Sequence, residues 1–210
     1  MRCAGYWLVS LARRAIRASN RARSALGNGE HGAGILAPVT ALTADAVRRS
    51  MINCSKGDAK RMTLADHVVG TDLAAVEFVG WRDPRMPRRA YAVTLHEGAV
   101  TGVLLRPAAG DGPRRTAMCA LCRTTRSDGA VTLFTAPRAG AAGREGNSVG
   151  TYVCDDLACS AVTRLEKATP TITPDRSHPV DERVAGLRVR LDGFLAAIRG
   201  TVDAAPAPAR

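Results

Sequence analysis

The chain has 210 residues, of which 46% are apolar and only 4% aromatic, and a net charge of +11. This length suits one domain with appendages, and no stretch reaches the ~18–20 consecutive apolar residues of a membrane span. Residues 1–36 carry six arginines against one acid, while 37–170 hold 18 basic and 13 acidic residues and 171–210 hold six and five; the middle is only mildly basic, and net charge alone does not define a nucleic-acid binder.

The first segment opens on a short apolar run, Tyr6 to Ala12, and arginines follow it at 13, 14, 17, 21 and 23. A secretory signal carries its cations before the run, so the order argues for a cytoplasmic chain with reduced cysteines. Residues 1–38 end in Gly-rich text and show no core periodicity. They read as a disordered extension or as sequence upstream of a true start near Val39, with an organellar targeting peptide or membrane-surface helix as the other alternative. Thr43 is placed to cap a short helix from Ala44 to Asn53, with Val47 and Met51 on one face, and Asn53 to Arg61 turns into a second helical piece. Residues 74–81 are a strand candidate and Trp81-Arg82-Asp83-Pro84-Arg85 a turn, since Asp-Pro disfavours helix. Tyr91 to Leu95 and Val100 to Leu105 flank His96-Glu97-Gly98-Ala99, which predicts a β-hairpin. Pro107 to Pro113 is a loop, residues 130–135 another strand, and residues 137–150 a loop rich in Gly and Arg. Asp155-Asp156 are expected to open a helix reaching about Lys167, since acids suit a helix start. Pro170 and Pro174 mark a linker within 171–202. An amphipathic helix from about Pro179 to Arg199 then places Val184, Leu187, Leu191, Leu195 and Ile198 on one stripe. Residues 203–210 form a Pro/Ala-rich disordered tail.

Four of the six cysteines form one pattern, Cys119-x2-Cys122 and Cys154-x4-Cys159, with 31 residues between the pairs. A pair two apart can curl around a metal and a second pair completes a tetrahedron, so these four are candidate ligands of a structural zinc ion; iron is the other metal that suits four thiolates. Four protein ligands leave no position for water or substrate. The site's formal charge of −2 calls for nearby cations, for which Arg114, Arg115, Arg123 and Arg126 are candidates. Cys3 and Cys54 have no partner spacing, and Cys54 reads as a small buried residue. The order of knuckle, strand, loop, strand and helix is that of a treble clef. The predicted class is therefore α+β: a treble-clef zinc finger with β-hairpins, short N-terminal helices and a C-terminal amphipathic helix, the zinc-binding domain spanning 39–170.

Met118-Cys119-Ala120-Leu121-Cys122, Ala136-Pro137-Arg138-Ala139-Gly140 and the run from Gly146 to Ser160 resemble the treble-clef domain of the elongation factor G-binding (FBP, FusB-type) family. Asn53 to Arg61 and Gly80-Trp81-Arg82-Asp83-Pro84 resemble it as well. The likeness covers about residues 41–167 and is closest to compact, actinobacterial-type members, which begin just before the first short helix. It implies a zinc-binding protein that binds elongation factor G and modulates its release from the ribosome, with fusidic-acid tolerance as the related phenotype. The sequence departs from the resistance proteins in showing no preceding helical bundle. The family's ligands fall on Cys119, Cys122, Cys154 and Cys159. For the partner surface the loop before the second pair is the candidate, through Arg138, Arg144, Asn147, Ser148 and Tyr152, since Arg and Tyr are favoured at interface centres.

Two further classes compete. A treble clef with arginines near its metal can bind RNA or the ribosome, although Tyr152, Phe134 and Trp81 are the only aromatics offered for stacking. Catalysis is disfavoured: His67, His96 and His178 stand alone, and Gly140-x2-Gly143-x2-Gly146 lacks the Gly-Lys-Ser/Thr ending of a phosphate loop. The apolar stripe of the last helix reads as packing on its own domain before it reads as a dimer face.

Overall fold

The structure, a computed structural model, describes residues 41–108 and 116–200. The expected extension at 1–38, the tail at 203–210, most of the Pro107–Pro113 loop, and Arg114 and Arg115 lie outside these residues.

Two short helices come first, each fastened by a side-chain cap. Thr43 Oγ1 accepts from the Ala46 N–H at 3.1 Å to start α1 (Ala44–Arg49), and Ser55 Oγ accepts from the Asp58 N–H at 3.0 Å to start α2 (Lys56–Arg61). The first helix stops at Ser50, short of the expected Asn53, because the chain is drawn onto a strand. The Ile52 N–H donates to Gly102 O at 3.0 Å and the Gly102 N–H to Ser50 O at 2.9 Å. Glycine eases that approach, since a Cβ at position 102 would stand 2.6 Å from Ser50 Oγ and 2.7 Å from Met51 Sδ, which would have to move aside.

Strands β1 (Val79–Arg82), β2 (Ala90–His96) and β3 (Ala99–Pro107) follow, then β4 (Ala117–Met118), β5 (Thr125–Arg126) and β6 (Val131–Pro137). Helix α3 (Gly140–Arg144), β7 (Ser148–Cys154), α4 (Cys159–Val162), β8 (Ile172–Thr173) and α5 (Val180–Arg199) complete the described residues. All strand pairs are antiparallel, in a five-stranded sheet ordered β1-β2-β3-β6-β7 and a three-stranded one ordered β4-β5-β8. The expected hairpin is β2–β3, closed by a two-residue turn in which Glu97 (φ 51°) and Gly98 (φ 75°) are both left-handed, the backbone that matches strand twist. The strand expected over 74–81 starts later, at Val79. Before it, Asp72 makes a turn by accepting from the Ala74 N–H at 2.9 Å, and the buried Glu77 carboxylate is held by Arg164 at 2.6 and 2.8 Å.

Successive residues of a strand point to opposite faces, and the large sheet is covered on both over β1–β3. Ala90, Ala92, Val103 and Leu105 point into one core, which also contains the four cysteines and Leu187, Leu191, Leu195 and Ile198 of α5. Tyr91, Val93 and Leu104 point into the other, with Leu42, Val47, Met62, Leu73 and Trp81. Burial on both sides explains why β2 reads as a continuous apolar run. The stripe on α5 packs on the metal-side core as expected, except that Val184 is only half-buried and Arg183 is buried, donating to Leu165 O at 2.9 Å. The expected linker contains β8, whose residues pair with Thr125 and Arg126; isolated from a partner, two residues carry no strand signal. No helix among the described residues is long and apolar enough to cross a membrane.

Candidate metal centre

The first cysteine pair sits in a tight turn between β4 and β5. The Cys119 N–H donates to Thr124 O at 2.9 Å, the Arg123 N–H to Cys119 O at 3.0 Å, and the Cys122 N–H points at Cys119 Sγ at 3.4 Å. Arg123 takes the left-handed conformation (φ 60°) that lets the chain curl back. The second pair lies where β7 ends. Cys154 is its last residue, opposite Val131, and a turn through Leu157 (φ 55°) delivers Cys159 as the first residue of α4.

The four sulfur atoms lie within 4.8 Å of one another, with Cys119–Cys159 and Cys122–Cys154 each at 3.6 Å, and all four residues are at most 2% exposed. Tetrahedral zinc–sulfur bonds of about 2.3 Å require sulfur separations of about 3.8 Å. The donor set therefore fits a Zn²⁺ ion with no position left for water or substrate. Electrostatics favour the same conclusion. Hydrogen bonds from Cys122, then Cys154 and Cys159, pull the Cys119 thiol below its ordinary value, while the contact with Cys119, the other two thiols and burial push Cys159 well above its own. Four thiols packed this closely cannot all ionise alone, and a divalent cation removes the conflict.

Around the sulfurs the chain supplies positive charge. Arg126 donates to Asp156 Oδ1 at 2.8 Å; burial opposes its charge, but Asp156 and then Cys154 outweigh that and raise its pKa. Arg190, on α5, donates through Nε to Leu121 O at 2.6 Å inside the knuckle. Nothing in the sequence singled out Arg190, because its neighbour Leu191 belongs to the apolar stripe and only the packing of α5 brings it to the knuckle. Arg123 is exposed on the knuckle turn.

The expected helix from Asp155 to about Lys167 is corrected to four residues. Asp155 and Asp156 precede it as turn fasteners. Asp155 accepts from Thr132 Oγ1 at 2.6 Å and pairs with Arg82, and Asp156 also accepts from the Ala158 N–H at 3.1 Å. The left-handed Leu157 prevents a helix from starting at the acids, and after Val162 the chain tightens into single turns, the Arg164 N–H donating to Ala161 O at 3.2 Å and the Leu165 N–H to Val162 O at 3.1 Å.

The expected loop over 137–150 is also corrected. It contains α3 and the start of β7, so the five candidate partner residues divide. Arg138, Arg144 and Asn147 belong to the connection, where the Arg138 N–H donates to Asn147 O at 2.9 Å and the Asn147 N–H to Ala142 O at 3.0 Å. Glycine is needed within it, since a Cβ at Gly143 would stand 1.8 Å from Arg138 O. Ser148 and Tyr152 lie on one face of β7, about 13 Å apart at the usual strand rise. Arg144, Asn147, Ser148 and Tyr152 are exposed, Tyr152 at 52%, while Arg138 is half-buried. The histidines among the described residues are scattered: His67 contacts Gly80 O at 3.2 Å, His96 contacts Asp192 at 2.8 Å and His178 contacts Glu182 at 3.0 Å.

A small α+β domain whose short elements converge on a closed set of four buried cysteines is a treble-clef zinc finger with a structural metal. A family model described as the FBP C-terminal treble-clef zinc-finger matches residues 46–198, and the chain belongs to that family. Neither the curated proteins nor the solved structures gave a match.

Proposed function

We propose that this protein binds translation elongation factor G through its zinc-pinned hairpin in the cytoplasm and modulates release of the factor from the ribosome. Cys119, Cys122, Cys154 and Cys159 hold the Zn²⁺. The match of the family model over residues 46–198 carries this reading. Supporting it, the metal fastens both ends of the segment that contains the exposed Arg144, Asn147, Ser148 and Tyr152, so these side chains are presented on a rigid base. A closed four-thiolate site provides no substrate position, so the function runs through contact with a partner and not through chemistry at the metal. Tolerance to fusidic acid is the phenotype that would follow if release is accelerated.

The test is isothermal titration against purified elongation factor G. One-to-one binding is expected, and Arg144→Glu with Tyr152→Ala should weaken it at least tenfold with melting temperature unchanged. Absence of binding by the wild-type chain overturns the reading. Binding to ribosomal RNA with a steep salt dependence would replace it by the nucleic-acid alternative.

A further inference from the structure

Strand β7 is the last strand of the large sheet, and among the described residues no strand pairs with its outer edge. The direction of its backbone groups follows from three hydrogen bonds. Asn147 O accepts from the Arg138 N–H at 2.9 Å and the Asp155 N–H donates to Ala130 O at 2.9 Å, so odd-numbered residues of the strand face β6. Tyr152 O accepts from the Ala120 N–H at 2.7 Å, so even-numbered residues face away. The N–H and C=O of Ser148 and Gly150 and the N–H of Tyr152 therefore project from the free edge. Among the described residues no hydrogen bond reaches them.

Edges of this kind are ordinarily blunted by lysine, proline, a bulge or a covering loop. Here Ser148, Gly150 and Tyr152 are all exposed, and Gly150 adds no side chain to obstruct an approaching backbone. The two ends of the strip differ in chemistry. At the Ser148 end stand Arg138, the exposed Arg144 and the exposed Glu145, which leaves this end net positive, with neither arginine in an ion pair among the described residues. At the other end Tyr152 adjoins the knuckle, where Met118, two residues from Ala120, is 47% exposed. A free ladder, a cationic end and an apolar end fit an extended polypeptide with acidic side chains at one end and an apolar side chain at the other.

We propose that the protein docks its partner by strand addition: an extended, acid-bearing segment of the partner pairs with the free edge of β7 from Ser148 to Tyr152. This rests on the protein-partner reading above and specifies its mode.

The decisive variant is Gly150→Pro in the full zinc-loaded chain. It deletes an N–H that faces outward and touches no bond of the β6–β7 ladder, and proline is tolerated at such edge positions. Melting temperature and zinc content should stay at wild-type values. Gly150→Ala is the control: it keeps the N–H, and its Cβ comes within 3.3 Å of the flexible tip of Leu133 and in ordinary contact with Phe134 O at 3.7 Å and Thr135 Cγ2 at 3.8 Å. Random short peptides displayed on phage are selected on the wild-type chain. The expected result is acid-bearing peptides whose affinity falls more than tenfold on Gly150→Pro and less than threefold on Gly150→Ala, with the Ser148, Gly150 and Tyr152 amides protected from hydrogen exchange on binding. No such peptides, or equal affinity for a folded Gly150→Pro chain, overturns the proposal. So does a dimer of the wild-type chain that the proline variant abolishes, since the edge would then serve a second copy. Elongation factor G is titrated in parallel. If it fails to bind wild type while the peptides discriminate, the partner assignment falls and the edge stands; if it binds wild type and Gly150→Pro alike, the edge falls and the assignment stands.

Discussion

The two faces of the central sheet hold their short elements by different means. On the face bearing Trp81 and Tyr91, helices α1 and α2 are each six residues long and each begins with a side-chain cap, at Thr43 and Ser55. Side chains fasten the connections too. Asn53 Nδ2 donates to Leu104 O and Pro137 O, both at 3.0 Å, and Asp83 accepts from the backbone of Thr63, Arg85 and Met86. On the metal face, helices α3 and α4 have no side-chain cap, and β4, β5 and β8 are two residues each. Helices and ladders so short do not sustain themselves. Four thiolates on one ion fasten β4, β5, β7 and α4 instead, for the cysteines follow β4, precede β5, end β7 and begin α4.

The largest effect should come from removing the metal. Structural zinc contributes an apparent ~10–16 kcal/mol in finger peptides, against a total stability of ~5–15 kcal/mol for a domain. Cys119→Ser, or chelation of the wild-type chain, should therefore abolish zinc content by native mass spectrometry and remove amide protection across residues 116–165. A zinc-free variant with unchanged melting temperature would break the comparison. On the other face, Trp81→Ala should cost about 3–5 kcal/mol in urea denaturation, since the ring is buried against Tyr91 at 5.2 Å and donates to Thr63 O at 3.0 Å. Its zinc content should stay at one per chain; loss of the ion would show that the two faces form one unit.

The smallest effect concerns a cap. A hydrogen bond from Ser55, followed by those from Arg61 and Arg89, holds the Asp58 carboxyl at about 2, below its ordinary value of 3.8. The folded state thus favours the ionised form. The stabilisation is complete above the unfolded pKa and fades as pH falls through the carboxylate range toward about 2. Asp58→Asn should lower stability by less than about 1 kcal/mol at neutral pH, because the group is solvent-screened. In urea midpoints that deficit should hold down to the ordinary carboxylate value of 3.8, shrink as pH falls further, and close near about 2.

Some of the site was legible because its signal is local. The spacing of Cys119 with Cys122 and of Cys154 with Cys159 is set by the reach of one turn, so the convergence of four thiols could be read directly. Glu97-Gly98 between two branched runs identified the hairpin, and the three- and four-residue spacing from Leu187 to Ile198 identified α5. What was missed depended on distant partners. β8 exists only because β5 lies beside it. Asp155 and Asp156 look like helix-start acids until Arg82 and Arg126 are seen to take them. Arg190 reaches the knuckle from 69 residues away in the chain.

The sequence by itself determined the four-cysteine set and the class of fold, because ligand spacing and apolar periodicity are short-range properties of the chain, and the family through the resemblance of its local motifs. Only the tertiary structure decided where the helix after Cys154 begins and ends, which cations attend the sulfurs, and that Ser148, Gly150 and Tyr152 lie together along an open edge. Those outcomes are set by backbone conformation at Leu157, by the packing of α5 and by the order of strands in the sheet, and each involves residues whose separation along the chain conceals their contact in space.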